Sequence, residues 1–219
     1  MMLFANGTLG WRRTSAKVEA AQPARRQPQE RAAVFVDLDG TLIDGMPRNA
    51  DPAQLRLRRG AAEALAELAR RGFMLLVATN QSGLARGYCT RAEFARLQAG
   101  LEQLLRDTAR VELLDFLVCP HAPGPEGVPS CLCRKPAPGL MLRAARQHRL
   151  DLARSWMVGD GLEDVEAGHR AGCCTVLLSG GAPVEGQLTP LRRPDARCDT
   201  WAEAVRHIAV TSGAIASLP

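Results

Sequence analysis

The sequence has no apolar run that approaches the length of about eighteen residues needed for a membrane-spanning helix. It also lacks the apolar core of a signal peptide, because the apolar residues at positions 1–5 form too short a run. Both absences argue against a membrane partner and against secretion. The chain nevertheless contains seven cysteines, which remain thiols in reducing compartments. We therefore expect a cytoplasmic protein.

Net charge is also nearly absent from most of the chain. Residues 1–31 contain six Lys or Arg residues and two Glu residues, so they carry most of the formal charge of +5. The rest is close to neutral, which argues against the basic groove that a nucleic-acid partner requires. Residues 1–31 are rich in Arg, Gln, Ala and Pro and are predicted to be a disordered basic extension before one domain at 32–219. Because no acidic residue precedes Glu19, a transit peptide is the alternative for this extension.

The composition is that of a soluble globular domain, with 46% apolar and 23% charged residues. Short apolar runs alternate with helical patterns, and Thr90 with Glu93 forms a capping-box pattern at the start of one helix. The alternation predicts an α/β fold with a three-layer, Rossmann-like parallel sheet. The expected strands are 32–36, 73–78, 111–119, 156–158 and 173–178, and the expected helices are 61–71, 90–107, 139–149, 163–171 and 200–210.

Four polar clusters lie beyond the ends of predicted strands, the third after an intervening loop. They are Asp37 with Asp39, Thr79 with Asn80, Arg134 with Lys135, and Asp160 with Asp164. In a parallel sheet these strand ends share one edge, so the clusters can meet in one crevice. Such a set can bind Mg²⁺ through oxygen and hold a phosphate through Lys and Thr. No Ser-His pair supplies a nucleophile, so a carboxylate is the expected attacking group.

Simpler interpretations exist for both acidic clusters. Asp39 precedes Gly40, and an Asp-Gly pair is common in turns that carry no chemistry. Asp160 and Asp164 could cap a helix and place an acid in its first turn, although this role is compatible with metal binding.

The order of the four motifs resembles that of the haloacid dehalogenase (HAD) superfamily of phosphatases. The motifs are Asp-x-Asp-Gly-Thr at 37–41, Thr-Asn at 79–80, Lys-Pro at 135–136 and Gly-Asp-x-x-x-Asp at 159–164. The resemblance implies that Asp37 attacks phosphorus and that Asp39 protonates the leaving oxygen and then activates water. It also implies that Thr79 and Lys135 hold the phosphoryl oxygens.

The same resemblance implies a Mg²⁺ site formed by Asp37, the Asp39 backbone and Asp160, with Asp164 as a supporting residue. The cation would allow a carboxylate to approach an anionic phosphate. Only 39 residues separate Asp39 from Thr79, and 55 separate Thr79 from Lys135. Predicted helices, strands and loops occupy both gaps. We therefore expect a capless member of the superfamily.

The loop before Lys135 contains a second set of potential metal ligands. Cys119 and His121 form one close pair, and Cys131 and Cys133 form another after nine intervening residues. Three thiolates and one imidazole predict a closed, tetrahedral structural zinc site that staples a Pro- and Gly-rich loop. A chance clustering of cysteines is the alternative. The other cysteines lack a ligand spacing, and we interpret them as core or surface thiols: Cys89, Cys173, Cys174 and Cys198. The other histidines are interpreted as isolated residues on helix surfaces: His148, His169 and His207.

The zinc loop and the segments 79–87 and 157–160 together resemble the D-glycero-D-manno-heptose-1,7-bisphosphate 7-phosphatases. This resemblance implies a step in making nucleotide-activated heptose for bacterial lipopolysaccharide. The chain has Leu38 and Asp44 where that family usually has Arg and Asn, which weakens the substrate assignment. Histidinol phosphate is the alternative substrate. A polynucleotide 3′-phosphatase would need a basic groove, and a catalytically inactive, zinc-stapled interaction module is the alternative outside the enzymes.

Substrate contacts are expected from residues around the crevice, namely Asn80, Gln81, Ser82, Arg86 and Arg134. The two arginines could reach beyond the reacting phosphate. They suit a substrate with further anionic or hydroxyl groups, because a guanidinium binds phosphate as a rigid fork. Pairing of either arginine with a nearby Asp is the alternative. We expect a monomer that acts on a small sugar phosphate.

Overall fold

The computed structural model describes residues 30–46, 50–124, 130–181 and 186–215. Its strands are β1 (Ala33–Val36), β2 (Met74–Asn80), β3 (Asp115–Cys119), β4 (Trp156–Gly159), β5 (Cys174–Leu178) and β6 (Ala196–Cys198). All pair in parallel in the order β3-β2-β1-β4-β5-β6. The chain leaves β1 toward β2 and later returns beside it as β4. This reversal of strand order opens a crevice at the carboxyl ends of β1 and β4.

Helices cover both faces of the sheet. They are α1 (Ala61–Arg70), α2 (Ser82–Ala85), α3 (Arg91–Ala109), α4 (Gly139–His148), α5 (Leu162–Ala171) and α6 (Trp201–Ile215). Val34 and Val36 of β1 pack in a cluster with α1, α3 and α6, whereas Ala33 and Phe35 pack in a cluster with α4 and α5. β1 is fully buried because successive side chains enter opposite apolar layers. The predicted three-layer α/β fold is confirmed.

The segments between the catalytic motifs contain no additional domain among the described residues. Between Asp39 and Thr79 the chain forms α1, a short 3₁₀ helix at Pro52–Gln54 and most of β2. Between Thr79 and Lys135 it forms α2, α3 and β3 before the loop. The expected capless architecture is therefore confirmed. In the part of the chain that the structure describes, no helix combines the length and apolar character needed to cross a bilayer.

Several predicted boundaries agree with the structure, whereas one α-helix and one strand of the described residues were missed. The capping box is present, since Thr90 accepts from the Glu93 N–H and the Glu93 carboxylate accepts from the Thr90 N–H. The third strand begins at Asp115 rather than at 111, because Arg110 turns into the left-handed region (φ 54°) and the Val111 N–H still bonds to α3. The short helix α2 and the edge strand β6 were not predicted. β6 has only three residues, one of them Arg197, and so lacks an apolar run.

The histidines predicted to be isolated on helix surfaces have partners. His148 lies 2.8 Å from Asp115, His169 lies 3.0 Å from Asp195, and the His207 ring stands edge-on to Trp156 with centroids 5.6 Å apart. Each partner is far away in sequence, so spacing could not reveal it. The prediction that these side chains are isolated is therefore wrong.

The folded region begins at least one residue before the predicted boundary at 32. The Asp151 N–H donates to the Arg31 carbonyl at 3.0 Å, and the Arg31 N–H donates to the Arg149 carbonyl at 3.2 Å. Arg31 is thus already attached to the domain. Residues 1–29 of the predicted disordered extension lie outside the described residues, and their disorder stays a prediction.

Candidate active site

The chain turns tightly after β1, and the turn at residues 37–43 carries both aspartates of the first motif. The Asp37 N–H donates to the Val158 carbonyl of β4 at 2.9 Å, which continues the sheet pairing up to the aspartate. Gly40 has φ 78°, and a Cβ at this position would lie 2.1 Å from Oδ2 of Asp160. Glycine therefore permits both the backbone conformation and the close approach of the two strand ends.

Lys135 joins the carboxylates of Asp37 and Asp164 in the crevice. Its Nζ donates to Asp37 Oδ1 and lies 2.6 Å from Asp164 Oδ1, and all three residues are buried. Burial raises the pKa of Asp37 to about 7, with Lys135 opposing and Asp164 adding to this increase. Burial would lower the pKa of Lys135, but the charges of Asp164 and Asp37 outweigh it and raise that pKa. The lysine therefore stays charged beside the predicted nucleophile.

Gln81 holds the second aspartate of the first motif. Its Nε2 donates to Asp39 Oδ2 at 2.6 Å and to Thr79 Oγ1 at 2.9 Å. The other oxygen of Asp39, Oδ1, is buried and has no hydrogen-bond partner among the described residues. Burial raises the pKa of Asp39, and the hydrogen bond from Gln81 partly opposes this. A carboxyl group with a raised pKa and one oxygen free is suited to proton transfer.

Asn80 positions Lys135 through the lysine backbone. The Asn80 Nδ2 donates to the Lys135 carbonyl, and the Lys135 N–H donates to Asn80 Oδ1, both at 3.0 Å. This pair of bonds connects the end of β2 to the loop that carries the lysine. The predicted substrate contact of Asn80 stays a prediction, because its shown partner is Lys135.

The end of β4 supplies Asp160 and Asp164. Thr41 Oγ1 donates to Asp160 Oδ1 at 3.3 Å, and the Gly161 N–H donates to Asp164 Oδ2 at 3.1 Å. A Cβ at Gly159 would lie 2.3 Å from Asp164 Oδ2, so this glycine makes room for the carboxylate. Asp164 is thus the acid in the first turn that the simpler interpretation suggested, and this role coexists with its ion pair to Lys135, whereas the N-cap is Gly161 and not Asp160.

Three carboxylates form a cluster that could hold a cation. Asp37, Asp160 and Asp164 each offer an oxygen, and these oxygens lie within 4.8 Å of one another. Oxygen atoms around one Mg²⁺ at about 2.1 Å are separated by at most about 4.2 Å, so small movements would suffice. The side chain of Asp39 is not in this cluster, and its expected contribution through the backbone stays a prediction. The donor set fits a hard divalent cation.

The loop cysteines and histidine also converge. Cys119 Sγ lies 3.6 Å from His121 Nδ1 and from Cys131 Sγ, while Cys133 Sγ lies 3.3 Å from the other three ligand atoms. A tetrahedron with Zn–S bonds of about 2.3 Å has edges of about 3.8 Å, close to these separations. The three cysteines are free thiols and form no disulfide. The geometry fits one tetrahedral metal ion.

Backbone contacts connect this Cys/His cluster to the crevice. The Gln81 N–H donates to the Cys119 carbonyl at 2.8 Å, and the Arg134 N–H donates to Cys131 Sγ at 3.3 Å. Burial would raise the pKa of Cys131, but hydrogen bonds from Cys133 and Arg134 lower it to about 7. Because Cys131 and Cys133 directly precede Arg134 and Lys135, an ion bound by the cluster would order the backbone that leads to the lysine.

Comparison with known proteins decides the family. The HAD-hydrolase-like family matches residues 132–204. The D-glycero-beta-D-manno-heptose-1,7-bisphosphate 7-phosphatase of Pasteurella multocida is 40% identical over 157 residues, which cover 69% of this chain and 84% of that protein. The chain belongs to the HAD-like phosphatases. The protein of the same name from Escherichia coli K12 is 40% identical over 69% of this chain and 81% of its own length.

Solved structures agree with this assignment. A putative HAD-like phosphatase from Mesorhizobium loti superposes with a TM-score of 0.69 and 33% identity, over 87% of this chain and 90% of that one. D,D-heptose 1,7-bisphosphate phosphatase from B. bronchiseptica, complexed with magnesium and phosphate, has a TM-score of 0.65 and 28% identity. This second match covers 82% of this chain and 99% of the other. The predicted superfamily and enzyme class are confirmed.

Less constrained residues lie beside the catalytic residues, at the rim of the crevice. Ser82 begins α2, and Arg86 follows it with an exposed side chain that has no partner among the described residues. Arg134 donates from Nη1 to the His121 carbonyl at 3.2 Å. Neither arginine pairs with an Asp in the described structure, so the suggested alternative is not observed. Their substrate contacts stay predictions.

Two further residues support the site and were missed in the sequence. Thr41 bonds to Asp160, and it could have been recognised because it completes the Asp-x-Asp-Gly-Thr motif. Arg58 donates from Nη1 to the Gly40 carbonyl and so braces the turn that carries the aspartates. No local pattern marks Arg58, because its role depends on the path of a loop that returns to β1.

Proposed function

We propose that this protein removes the 7-phosphate of D-glycero-D-manno-heptose 1,7-bisphosphate through an aspartyl-phosphate on Asp37. One observation carries the mechanism: Asp37, Lys135 and Asp164 are joined in a buried crevice beside an Asp39 whose Oδ1 is free. The substrate is supported by the two relatives at 40% identity, whose names specify the beta anomer. We extend that anomer preference to this chain.

In the first half-reaction the Asp37 carboxylate attacks phosphorus, and the bond from phosphorus to the sugar oxygen breaks. Asp39 donates its proton to that oxygen, as its raised pKa favours. Lys135 and Thr79 hold the phosphoryl oxygens while charge shifts among them. In the second half-reaction Asp39 accepts a proton from the water that attacks phosphorus. Phosphate then leaves, and the Asp37 carboxylate is restored.

Mg²⁺ is the cation we propose for the acidic cluster, held by Asp37, Asp160 and the Asp39 carbonyl. When bound it would screen the negative charges of nucleophile and phosphate from each other. The convergence of three carboxylates within 4.8 Å supports this, since six-coordinate oxygen sites suit Mg²⁺. Asp164 is a supporting residue in this scheme, because it already pairs with Lys135 and caps α5.

Zn²⁺ is the ion we propose for Cys119, His121, Cys131 and Cys133. The thiol-rich donor set and the near-tetrahedral separations support zinc over a hard cation. With four protein ligands the site has no open position, so its role is structural. It would order the loop that presents Arg134 and Lys135.

The departures from the usual heptose-phosphatase residues have different locations. Leu38 is fully buried in the apolar core, so its side chain does not reach the crevice. Asp44 is exposed, and its N–H donates to the Arg56 carbonyl at 3.2 Å. Neither position removes a group from the catalytic set. The substrate preference therefore depends on the rim, where Arg86 and Arg134 favour a further anionic group over the cationic amine of histidinol phosphate.

Turnover measurements on purified protein would test the substrate. We expect a much higher kcat/KM for heptose 1,7-bisphosphate than for histidinol phosphate, with release of the 7-phosphate only. Arg134→Ala should lower this preference by about 1.5–3 kcal/mol, the scale of a charged hydrogen bond. Arg143→Ala, which removes an exposed arginine from α4, is the matched control. Equal or better turnover of histidinol phosphate by the unmodified enzyme would overturn the assignment.

The expected cytoplasmic location and monomeric state stay predictions.

A further inference from the structure

A second cavity lies at the edge of the sheet opposite to the catalytic crevice. It has a volume of about 470 Å³, within the range of about 300–1,000 Å³ found for small-molecule sites. Its lining comes from the amino ends of β1, β2 and β4 and from the last turns of α6. No step of the proposed reaction uses this region.

Three arginines line this cavity, which we call the amino-edge cavity: Arg31, Arg71 and Arg154. Glu30 is the acidic residue in its lining. Arg71 is paired with Glu67, whose Oε1 lies 2.6 Å from its Nε. The side chains of Arg31 and Arg154 are exposed and have no partner within the described ranges. The lining of the cavity therefore carries more positive than negative charge, and two of its arginines have no partner among the described residues.

The backbones of these arginines lie just before the first residues of three neighbouring strands, β1, β2 and β4. The Met74 N–H donates to the Ala32 carbonyl, and the Ala33 N–H donates to the Ser155 hydroxyl, both at 2.9 Å. Arg31, Arg71 and Arg154 each lie within three residues of these contacts. Adjacent strands are about 4.8 Å apart, and β1 lies between β2 and β4, so the three segments reach the same edge of the sheet within about 10 Å. Three positive side chains lining one cavity raise the local concentration of anions there.

We infer that the amino-edge cavity binds a small phosphorylated anion that carries two or more negative charges. Guanidinium groups bind phosphate oxygens through paired, charge-assisted hydrogen bonds, and two of them are available here. Phe73, Ala32 and Ala209 provide an apolar wall against which the rest of such a molecule can pack. The site is separate from the crevice at the carboxyl ends of the strands. It does not depend on the proposed sugar substrate.

The chain contains one natural reporter for each of the two sites. The Trp156 indole N–H donates to the hydroxyl of Ser212, which lines the amino-edge cavity, at 3.1 Å. The Trp201 indole N–H donates at 3.1 Å to the carbonyl of Thr41, whose hydroxyl bonds to Asp160. Trp11 is the third tryptophan, and Trp11→Phe would assign its resonance. Binding at either site can therefore be followed separately by the indole N–H resonances.

The test is a titration of the ¹⁵N-labelled full chain with pyrophosphate at 0.15 M KCl, which screens diffuse attraction between exposed charges. We expect the Trp156 resonance to move saturably, with a dissociation constant below about 1 mM. Arg31→Gln combined with Arg154→Gln should weaken this binding at least tenfold. A double variant of Arg91→Gln and Arg143→Gln removes the same charge from exposed helix positions and should leave it unchanged.

Both variants should retain the Trp201 response to pyrophosphate and their phosphatase activity, which shows that they are folded. A Trp156 resonance that does not move, that moves without saturation, or that responds equally in the Arg31/Arg154 variant would overturn the proposal. Failure of the sugar-phosphate assignment would appear in turnover alone and would leave this titration unaffected.

Discussion

The acidic cluster and the Cys/His cluster differ in what holds their ligands in place. Asp37 and Asp160 directly follow β1 and β4, whose backbones are paired with each other, and Asp164 lies in the first turn of the next helix. Of the Cys/His ligands only Cys119 belongs to a strand, and the other three lie in the following loop. The carboxylates are thus placed by the fold before any cation binds. We expect the arrangement of the thiols and the imidazole to depend on the proposed zinc ion, which predicts different consequences when each cluster is damaged.

The largest effect on activity is expected from Asp37→Asn, which keeps the shape of the side chain and removes the attacking charge. We expect phosphatase activity to fall on the order of 10⁴-fold or more, as for the loss of other catalytic nucleophiles. Steady-state turnover with a phosphorylated sugar measures this. Retention of more than a trace of activity would contradict the covalent mechanism.

The same variant should keep its fold. Folding raises the pKa of Asp37 from its ordinary value of 3.8 to about 7, so the folded state binds more protons than the unfolded state between these values. This residue therefore makes metal-free protein less stable as the pH rises through that window. At pH 8 without Mg²⁺, Asp37→Asn should have a Tm equal to or above that of the unmodified protein. A clear decrease in Tm would show that the acidic cluster is also needed for the fold.

Damage to the Cys/His cluster should affect stability and activity together. Protein purified without chelator should contain close to one zinc per chain by metal analysis. Cys131→Ser should lower Tm by about 5 °C or more, since 1 kcal/mol corresponds to about 2–4 °C at this size. Activity should fall about 10- to 100-fold as the loop before Lys135 loosens. Cys89→Ser, outside the cluster, is the control, and full activity in zinc-free protein would make the cluster incidental.

The contact between Asn80 and the Lys135 backbone offers a smaller and more local perturbation. Asn80→Ala removes both hydrogen bonds that hold the lysine, at a cost of about 1–2 kcal/mol. We expect kcat to fall about tenfold with little change in Tm or zinc content. Asn80→Asp retains the acceptor for the Lys135 N–H and should be intermediate. If kcat is unchanged in both variants, the position of Lys135 is determined by the zinc loop alone.

The smallest expected effect is a shift in pH dependence. The Gln81 hydrogen bond lowers the pKa of Asp39, so Gln81→Met should raise it further. Asp39 must be protonated to act as the acid, so activity is lost as the pH rises through its pKa. The alkaline limb of kcat/KM should therefore move to higher pH in the variant. A shift to lower pH, or none, would argue against Asp39 as the acid.

Much of the site could be predicted from sequence because its residues sit in short motifs at strand ends. The convergence of Asp37, Lys135 and Asp160 follows from parallel pairing, which brings the carboxyl ends of strands to one edge. The four Cys/His ligands could be recognised by residue type and spacing. By contrast, Gln81 and Asn80 were expected to contact substrate, whereas their shown partners are Asp39 and Lys135. Such partners lie 42 and 55 residues away in sequence, and nothing local identifies them.

Residue types and their order establish the available chemistry: which strands are apolar enough to be buried, and which acids, cations and thiols follow them. Which of these groups meet depends on how the chain packs in three dimensions. This packing placed β4 beside β1, added β6 through pairing with β5, and brought Arg58 back to the Gly40 carbonyl. It also brought three arginines from separate segments around the amino-edge cavity. Residue type and spacing act along the chain, whereas strand order and loop paths are set by packing the whole core.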